Sequence, residues 1–198
     1  MEQANLDIKK YLLETMTAFH NFCESNNLKY YMIGGTFLGA VRHKGFIPWD
    51  DDMDVAMLRE DYDKLLALAN KMPEGFELNT IETKPGYIYP FAKFCNKKLI
   101  VEEPFYKPFV TGIWVDIFPL DYTFENKALQ KLHFCIVNTL KRLLILKTYA
   151  FKPSKRSSFT KGIAIFFGYL TQIISKNCLF GTMNLFQVKI PTKFSKRK

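Results

Sequence analysis

The chain has 198 residues, 48% of them hydrophobic, and its 28 Lys and Arg against 19 Asp and Glu give a formal net charge of +9. That apolar share excludes a disordered tail or linker and suffices for one globular core with a helical appendage. The basic balance favours an anionic partner, such as a nucleotide, a phosphorylated glycan, a membrane surface or nucleic acid, without choosing among them.

The first residues, "MEQANLDIKKYLLETM", set acids and lysines where a signal peptide needs an apolar run, so a cytoplasmic location is expected. Apolar residues at Ile8, Leu12, Met16, Phe19 and Cys23 recur three or four apart, which predicts an amphipathic helix closed by the polar "ESNN". A short strand, "KYYMI", follows, and Gly34-Gly35 breaks it. Thr36 is placed to cap a short helix through about Arg42. A loop from His43 to Trp49 then leads into a second strand, Asp51 to Met57.

Arg59 to Lys71 reads as a helix with Tyr62, Leu65, Leu66 and Ala69 inward, stopped by "MPEG". Short β-prone runs follow at Phe76 to Ile81, Tyr89 to Phe94, Leu99 to Val101 and Gly112 to Phe118. Lys127 to about Phe151 is helical in pattern, and "KPSKRSS" reads as an exposed hinge. Gly162 to Ser175, "GIAIFFGYLTQIIS", is too short for a bilayer span of about 20 residues and reads as a buried helix, with a membrane interface as its other use. The order of elements predicts an α+β fold, a mixed sheet with flanking helices over residues 1–123, then a mainly helical region over 124–198. Cys23, Cys95, Cys135 and Cys178 are widely spaced, with no CxxC pair, and read as reduced core thiols.

The chemistry concentrates in "WDDDMD", where four aspartates fall within Asp50 to Asp54. On a strand, Asp50, Asp52 and Asp54 share one face at about 7 Å spacing, while Asp51 and Met53 take the other. Such a face resists ionisation unless a divalent cation joins it, and hard carboxylate oxygens suit Mg²⁺ or Mn²⁺. A solvated acidic turn is the simpler alternative. Against it, Val55 to Met57 carry the strand straight into apolar sequence and draw the last acid toward the core. A calcium-binding EF-hand loop fails on Val55 at its Gly position and Asp61 at its bidentate Glu position.

Asp116 lies between Val115 and Ile117 in a β-prone run, where a lone carboxylate is costly. It either completes a metal site with Asp52 and Asp54, if the strands adjoin, or forms an ion pair with Arg42 or Lys93. Gly34, Gly35 and Thr36 let the backbone and a helix N-terminus approach a phosphate, and Arg42 has the fork to grip one bidentately.

The strings "IGGTFLGAVRHKGFIPWDDDMDVAM" and "TGIWVDIFPLD" resemble the LicD family, with weaker similarity over roughly Asp7 to Asp121. The resemblance implies a nucleotidyltransferase-like fold in which Gly34 and Gly35 form the phosphate turn, Asp52 and Asp54 the metal pair and Asp116 the third acid. It also implies transfer of phosphocholine from CDP-choline, or of another phospho-alditol from a CDP-alcohol, to a hydroxyl of a cell-surface glycan, with CMP leaving. Lys93 fits a family-like basic position that contacts the donor, although no Thr stands near Leu99. The final "LFQVKIPTKFSKRK" resembles the start of the family's C-terminal stretch without its Tyr-Leu and Tyr-Gly motifs, so the chain reads as a shortened member, either active or a binding module.

A metal-dependent glycosyltransferase also uses Asp-x-Asp, yet it gives no reason for the Gly-Gly helix start or the separate strand carboxylate. The aromatic residues lie in apolar patterns and do not alternate with basic ones, so a nucleic-acid partner is not expected. The basic, apolar C-terminal region is instead expected to rest peripherally on the inner face of the cytoplasmic membrane, where a lipid-linked glycan acceptor waits.

Overall fold

The computed structural model describes residues 2–87, 89–103 and 109–149, and the chain divides into two compact units, 1–104 with 108–120 and 105–107 with 121–198. The expectations for "KPSKRSS", Gly162 to Ser175, Cys178 and the basic tail lie outside the described residues. In chain order the first unit holds α1 (Glu2–Ser25), β1 (Tyr31–Met32), α2 (Gly34–Arg42), β2 (Asp54–Leu58) and α3 (Arg59–Ala67). A 3₁₀ turn (Ala69–Lys71), β3 (Phe76–Asn79), β4 (Ala92–Glu103) and β5 (Phe109–Leu120) complete it. The strands make one sheet in the order β1-β2-β5-β4-β3, with β2 and β5 parallel and every other neighbour antiparallel. This is the expected α+β architecture, a mixed sheet with flanking helices.

The stripe read from α1 is the core stripe. Leu12, Met16, Phe19 and Cys23 are buried against Val55, Met57, Phe94, Val115 and Ile117 of the sheet. Phe19 anchors the contact, its ring 5.2 Å from that of Tyr30 and 5.4 Å from that of Phe94. Because strand side chains alternate, Val55 and Met57 turn to α1 while Asp54 turns to the opposite face of the same strand. One five-residue strand thus serves the core with one set of positions and offers a carboxylate with the other.

Three local expectations are corrected. The second strand begins at Asp54, not Asp51, because the chain is still turning after Trp49, where the Asp50 amide donates to Ile47 O at 3.1 Å. Helix α2 begins at Gly34, two residues before Thr36, with Ile33 as N-cap, so the Thr36 hydroxyl is not the cap. The separate runs at 89–94 and 99–101 are one strand, β4, with an irregularity between Asn96 and Ile100. The polar "NKK" that reads as a break is accommodated there: Lys97 N donates to Gly75 O at 2.9 Å and Lys98 N to Asn96 Oδ1 at 3.0 Å.

Gly112 faces this irregularity so closely that a Cβ would overlap the Asn96 carbonyl. Gly112→Ala is therefore expected to cost roughly 1–3 kcal/mol, the usual range for overpacking. A lowered midpoint in thermal unfolding is the readout.

In the second unit α4 (Lys127–Tyr149) starts where the periodicity places it, and Asn126 Oδ1 accepts the Ala128 amide at 2.9 Å and the Leu129 amide at 3.3 Å. Cys23 and Cys95 are buried free thiols whose pKa burial pushes up to about 12, which makes them inert. Cys135 departs from the expectation: it is free but exposed, on a helix whose Leu129, Leu132 and Phe134 are also exposed. Periodicity marks a helix without saying which of its residues become covered.

Candidate active site

The site is assembled by strand register. In the β2–β5 ladder Asp54 lies opposite Asp116, and in the β4–β5 ladder Lys93 lies opposite Asp116. Asp54, Asp116 and Lys93 therefore form one row across three strands, with neighbours about 4.8 Å apart along the hydrogen-bonding direction. The Asp116 amide donates to Met53 O at 2.8 Å and fixes the entry to β2 against β5.

The glycine pair closes onto this row. Gly34 sits at φ +56°, a left-handed conformation that suits glycine, and turns the chain from β1 into α2. Asp54 is pinned from both sides of its backbone, its amide donating to Thr36 Oγ1 at 2.8 Å and its carbonyl accepting from Ile33 N at 3.2 Å. A Cβ on Gly34 would stand 3.2 Å from Asp54 Oδ2, and one on Gly35 would overlap the Asp50 carboxylate. The glycines are needed because the carboxylates press against the helix start. Thr36→Val keeps the shape but orphans the Asp54 amide, and is expected to cost about 1–3 kcal/mol in chemical denaturation.

The electrostatics record the crowding. Burial, followed by the Asp54 and Asp50 carboxylates and a hydrogen bond with Asp50, pushes Asp52 up to about 6. Asp54 is raised by burial and then by Asp50. Asp116 is pushed up to about 7, first by burial; Lys93 and a hydrogen bond from the Trp114 indole pull it back, while Asp54 and Asp52 push it further.

Lys93 is 1% exposed, its Nζ 3.8 Å from Asp116 Oδ1, 3.5 Å from the centre of the Trp114 ring and 4.1 Å from that of Tyr89. The ion pair offered as an alternative partner for Asp116 is therefore present, and it is made with Lys93. It leaves Asp116 Oδ1 buried without a hydrogen bond.

The structure brings Gly34, Gly35, Thr36, Asp52, Asp54, Asp116 and Lys93 to one end of the sheet. Arg42 is not brought there. It sits at the far end of α2, about 12 Å along the axis from Gly34 by helical rise, exposed, with Nε donating to His43 Nδ1 at 3.3 Å. Asp51 is exposed, and Asp50 leans on Gly35 beside Asp52. Sequence reasoning missed Trp114 and Tyr89, which wall the Lys93–Asp116 pair; their only local signal is an aromatic residue on the strand or loop next to each charged one. A cavity of about 320 Å³ opens beside the acids, between Leu13 of α1, Ala40 of α2 and the loop residues Phe46 and Ile47, with Asp50 and Asp52 on its wall.

As the side chains stand, no three His, Cys, Asp or Glu groups among the described residues close around a single point. The donor set nonetheless fits a hard divalent cation. It is all carboxylate oxygen, two of its members are in direct register, one buried oxygen lacks a hydrogen bond, and three pKa values are raised by charge and burial that a cation would relieve.

The structure is thus an α+β domain whose mixed sheet sets a carboxylate row beside a glycine-started helix. Residues 27–161 match the family model described as LicD/FKTN/FKRP, nucleotidyltransferase domain, and the chain belongs to the LicD family. It is 50% identical over 71 residues to the lipopolysaccharide cholinephosphotransferase LicD of Haemophilus influenzae, a match covering 35% of this chain and 27% of that protein. An uncharacterised protein of Rickettsia prowazekii is 48% identical over 118 residues, 59% of this chain and 43% of its own length. The human ribitol 5-phosphate transferase FKRP is 31% identical over 81 residues, 41% of this chain and 15% of its own. The chain thus spans less than half the length of these relatives.

Proposed function

We propose that this protein is a transferase that moves a phospho-alcohol, phosphocholine first, from CDP-choline or another CDP-alcohol to a hydroxyl of a cell-surface glycan such as lipopolysaccharide, teichoic acid or capsule. The observation that carries the reading is the register of Asp54 with Asp116 against the Gly34–Gly35 turn. Family membership and the names of the relatives support the reaction class.

In this reading the acceptor oxygen forms a bond to the donor's alcohol-bearing phosphorus, the bond from that phosphorus to the CMP oxygen breaks, and the hydroxyl proton leaves to a carboxylate. Asp52, Asp54 and Asp116 would hold Mg²⁺ or Mn²⁺, which when bound supplies positive charge against the donor's diphosphate. The residues of the chain do the rest. The N-terminus of α2 at Gly34 and Gly35 directs backbone N–H groups and a positive dipole end at the phosphates. Asp116, flanked by Trp114 and Lys93, would either help hold that ion beside the acceptor hydroxyl or take the hydroxyl's proton itself. Lys93 is walled in and acts on the donor's charge through Asp116.

The cavity beside Asp50 and Asp52 is where the donor's alcohol group would sit in this reading: Leu13, Met32, Phe46, Ile47 and Met53 give it a mostly carbon wall, with Thr36 and Lys44 among its polar groups. In this reading the reaction takes place at the inner face of the cytoplasmic membrane; no helix among the described residues is long and apolar enough to cross one.

The test is CMP release by the purified chain with Mg²⁺, a panel of CDP-alcohols and candidate glycans, run beside UDP-sugars. Glycan-dependent CMP release from CDP-choline is the expected result. Turnover of UDP-sugars without any CDP-alcohol would transfer the site to the glycosyltransferases.

A further inference from the structure

Lys93 and Asp116 stand directly opposite each other on β4 and β5, and a lysine carries its ammonium on a flexible four-carbon stem. Nothing in that register keeps the two charges apart, and a charge-assisted hydrogen bond of about 2.7–2.9 Å is the ordinary outcome for such a pair. It is not made. Lys93 Nζ stops 3.8 Å from Asp116 Oδ1, beyond hydrogen-bonding distance, and Oδ1 is left buried without a hydrogen bond.

Two aromatic rings account for the gap. Trp114 lies two residues before Asp116 on β5, so both side chains point to the face of the sheet that Lys93 shares. The ammonium is 3.5 Å from the centre of the Trp114 ring and 4.1 Å from that of Tyr89. The attraction of a cation to an aromatic face grows where water is excluded, and Lys93 is buried. Tyr89 is braced in turn: its ring centre is 5.5 Å from that of Tyr87 and 5.2 Å from that of Phe91, and the Tyr87 hydroxyl donates to Phe91 O at 2.8 Å. The Trp114 indole also donates its N–H to the Asp116 carboxyl, so one side chain touches both charges and sets their separation.

A closed ion pair would occupy Oδ1. Held apart, Lys93 still offsets the charge of Asp116, while the oxygen keeps its lone pairs for another partner. A buried acceptor without a hydrogen bond is costly, and the Asp116 side chain, 16% exposed, has an edge open to a ligand that would relieve the cost.

We infer that Trp114 and Tyr89 are positioning residues that hold the Lys93 ammonium off Asp116 and thereby keep Asp116 Oδ1 open to a divalent cation. The inference rests on the cation-holding role proposed for Asp116.

Mn²⁺ binding to the full chain, read by electron paramagnetic resonance, tests it together with a crystal structure of Trp114→Leu. Without the indole, the ammonium should close on Asp116 to about 2.8 Å. Mn²⁺ affinity should then fall about tenfold, the weight of a hydrogen bond between charged groups that the ion must displace. Trp114→Phe keeps a ring face and should stay within about threefold of the natural sequence. Tyr89→Leu, in the loop before β4, removes the other wall without altering a strand; it should lower the affinity too, and it supplies the same comparison if Trp114→Leu does not fold. In a Lys93→Met background, where no ammonium can close, neither leucine substitution should change Mn²⁺ affinity appreciably. An equal loss in both backgrounds, or an ammonium still 3.8 Å from Oδ1 in Trp114→Leu, would overturn the spacing role alone. A natural sequence that binds no Mn²⁺ would overturn the cation role of the carboxylate row, and this inference with it.

Discussion

Asp54→Asn is expected to lower CMP release by about 10³-fold or more while the chain stays folded. The size follows from the position: Asp54 sits where charge builds up in phosphoryl transfer, and removing one preorganised charge-stabilising group costs about 10²–10³ in rate, more where it holds a metal. The fold is insulated from the change. Asn is isosteric, and the contacts that fix this residue, to Thr36 Oγ1 and Ile33 N, are made by its backbone. Removing the charge also relieves repulsion within the row, so the thermal midpoint of the metal-free variant should equal or exceed that of the natural sequence. Loss of activity with unchanged or higher stability is the signature of a functional carboxylate. Asp52→Asn should behave similarly, and Asp51→Asn, on an exposed side chain, should change little. Normal turnover in Asp54→Asn would falsify the role assigned to the row.

The contrast between Asp51 and Asp54 also separates what the amino-acid sequence makes legible from what only folding decides. Carboxylates, glycines and a strand acid announce themselves by chemistry, because burying or crowding them is costly without a reason, and Asp52, Asp54, Asp116, Gly34 and Gly35 are legible on that ground. The core stripe of α1 is legible because helical periodicity is local. What depends on pairing across the sheet is not. Charge names Arg42 or Lys93 as a partner for Asp116, but nothing near either in sequence says which will fall opposite it, since register is fixed by the whole hydrophobic face of β4 and β5. Thr36 reads as a cap from its neighbours alone, yet its hydroxyl goes to an amide eighteen residues away, and α2 starts on Ile33 instead. Arg42 looks like a phosphate ligand by residue type, but helical rise carries it away from the glycine turn.

Lys93→Met is expected to destabilise the metal-free protein by about 3–5 kcal/mol at pH 8 and much less at pH 5, because breaking a buried ion pair leaves its partner charge uncompensated. The pH dependence follows from Asp116. Burial raises its folded pKa to about 7 although Lys93 pulls the other way. A carboxyl whose folded pKa exceeds its unfolded value of about 3.9 binds protons more tightly when folded, so its stabilising contribution is complete below that unfolded value and is lost as pH rises through about 7. In the natural sequence the midpoint should therefore fall between pH 5 and pH 8. Without Lys93 the folded pKa of Asp116 moves higher still and the fall steepens. At pH 5 the carboxyl is protonated, and Met loses only the ammonium's contacts with the Trp114 and Tyr89 rings. Adding Asp116→Asn to Lys93→Met removes the uncompensated charge, so the double variant should be more stable at pH 8 than Lys93→Met alone, and the cycle measures the coupling directly. Mg²⁺ supplies the same relief from outside: if Asp116 takes part in holding it, the ion should raise the pH 8 midpoint of Lys93→Met by more than that of the natural sequence, and should do nothing comparable for the double variant.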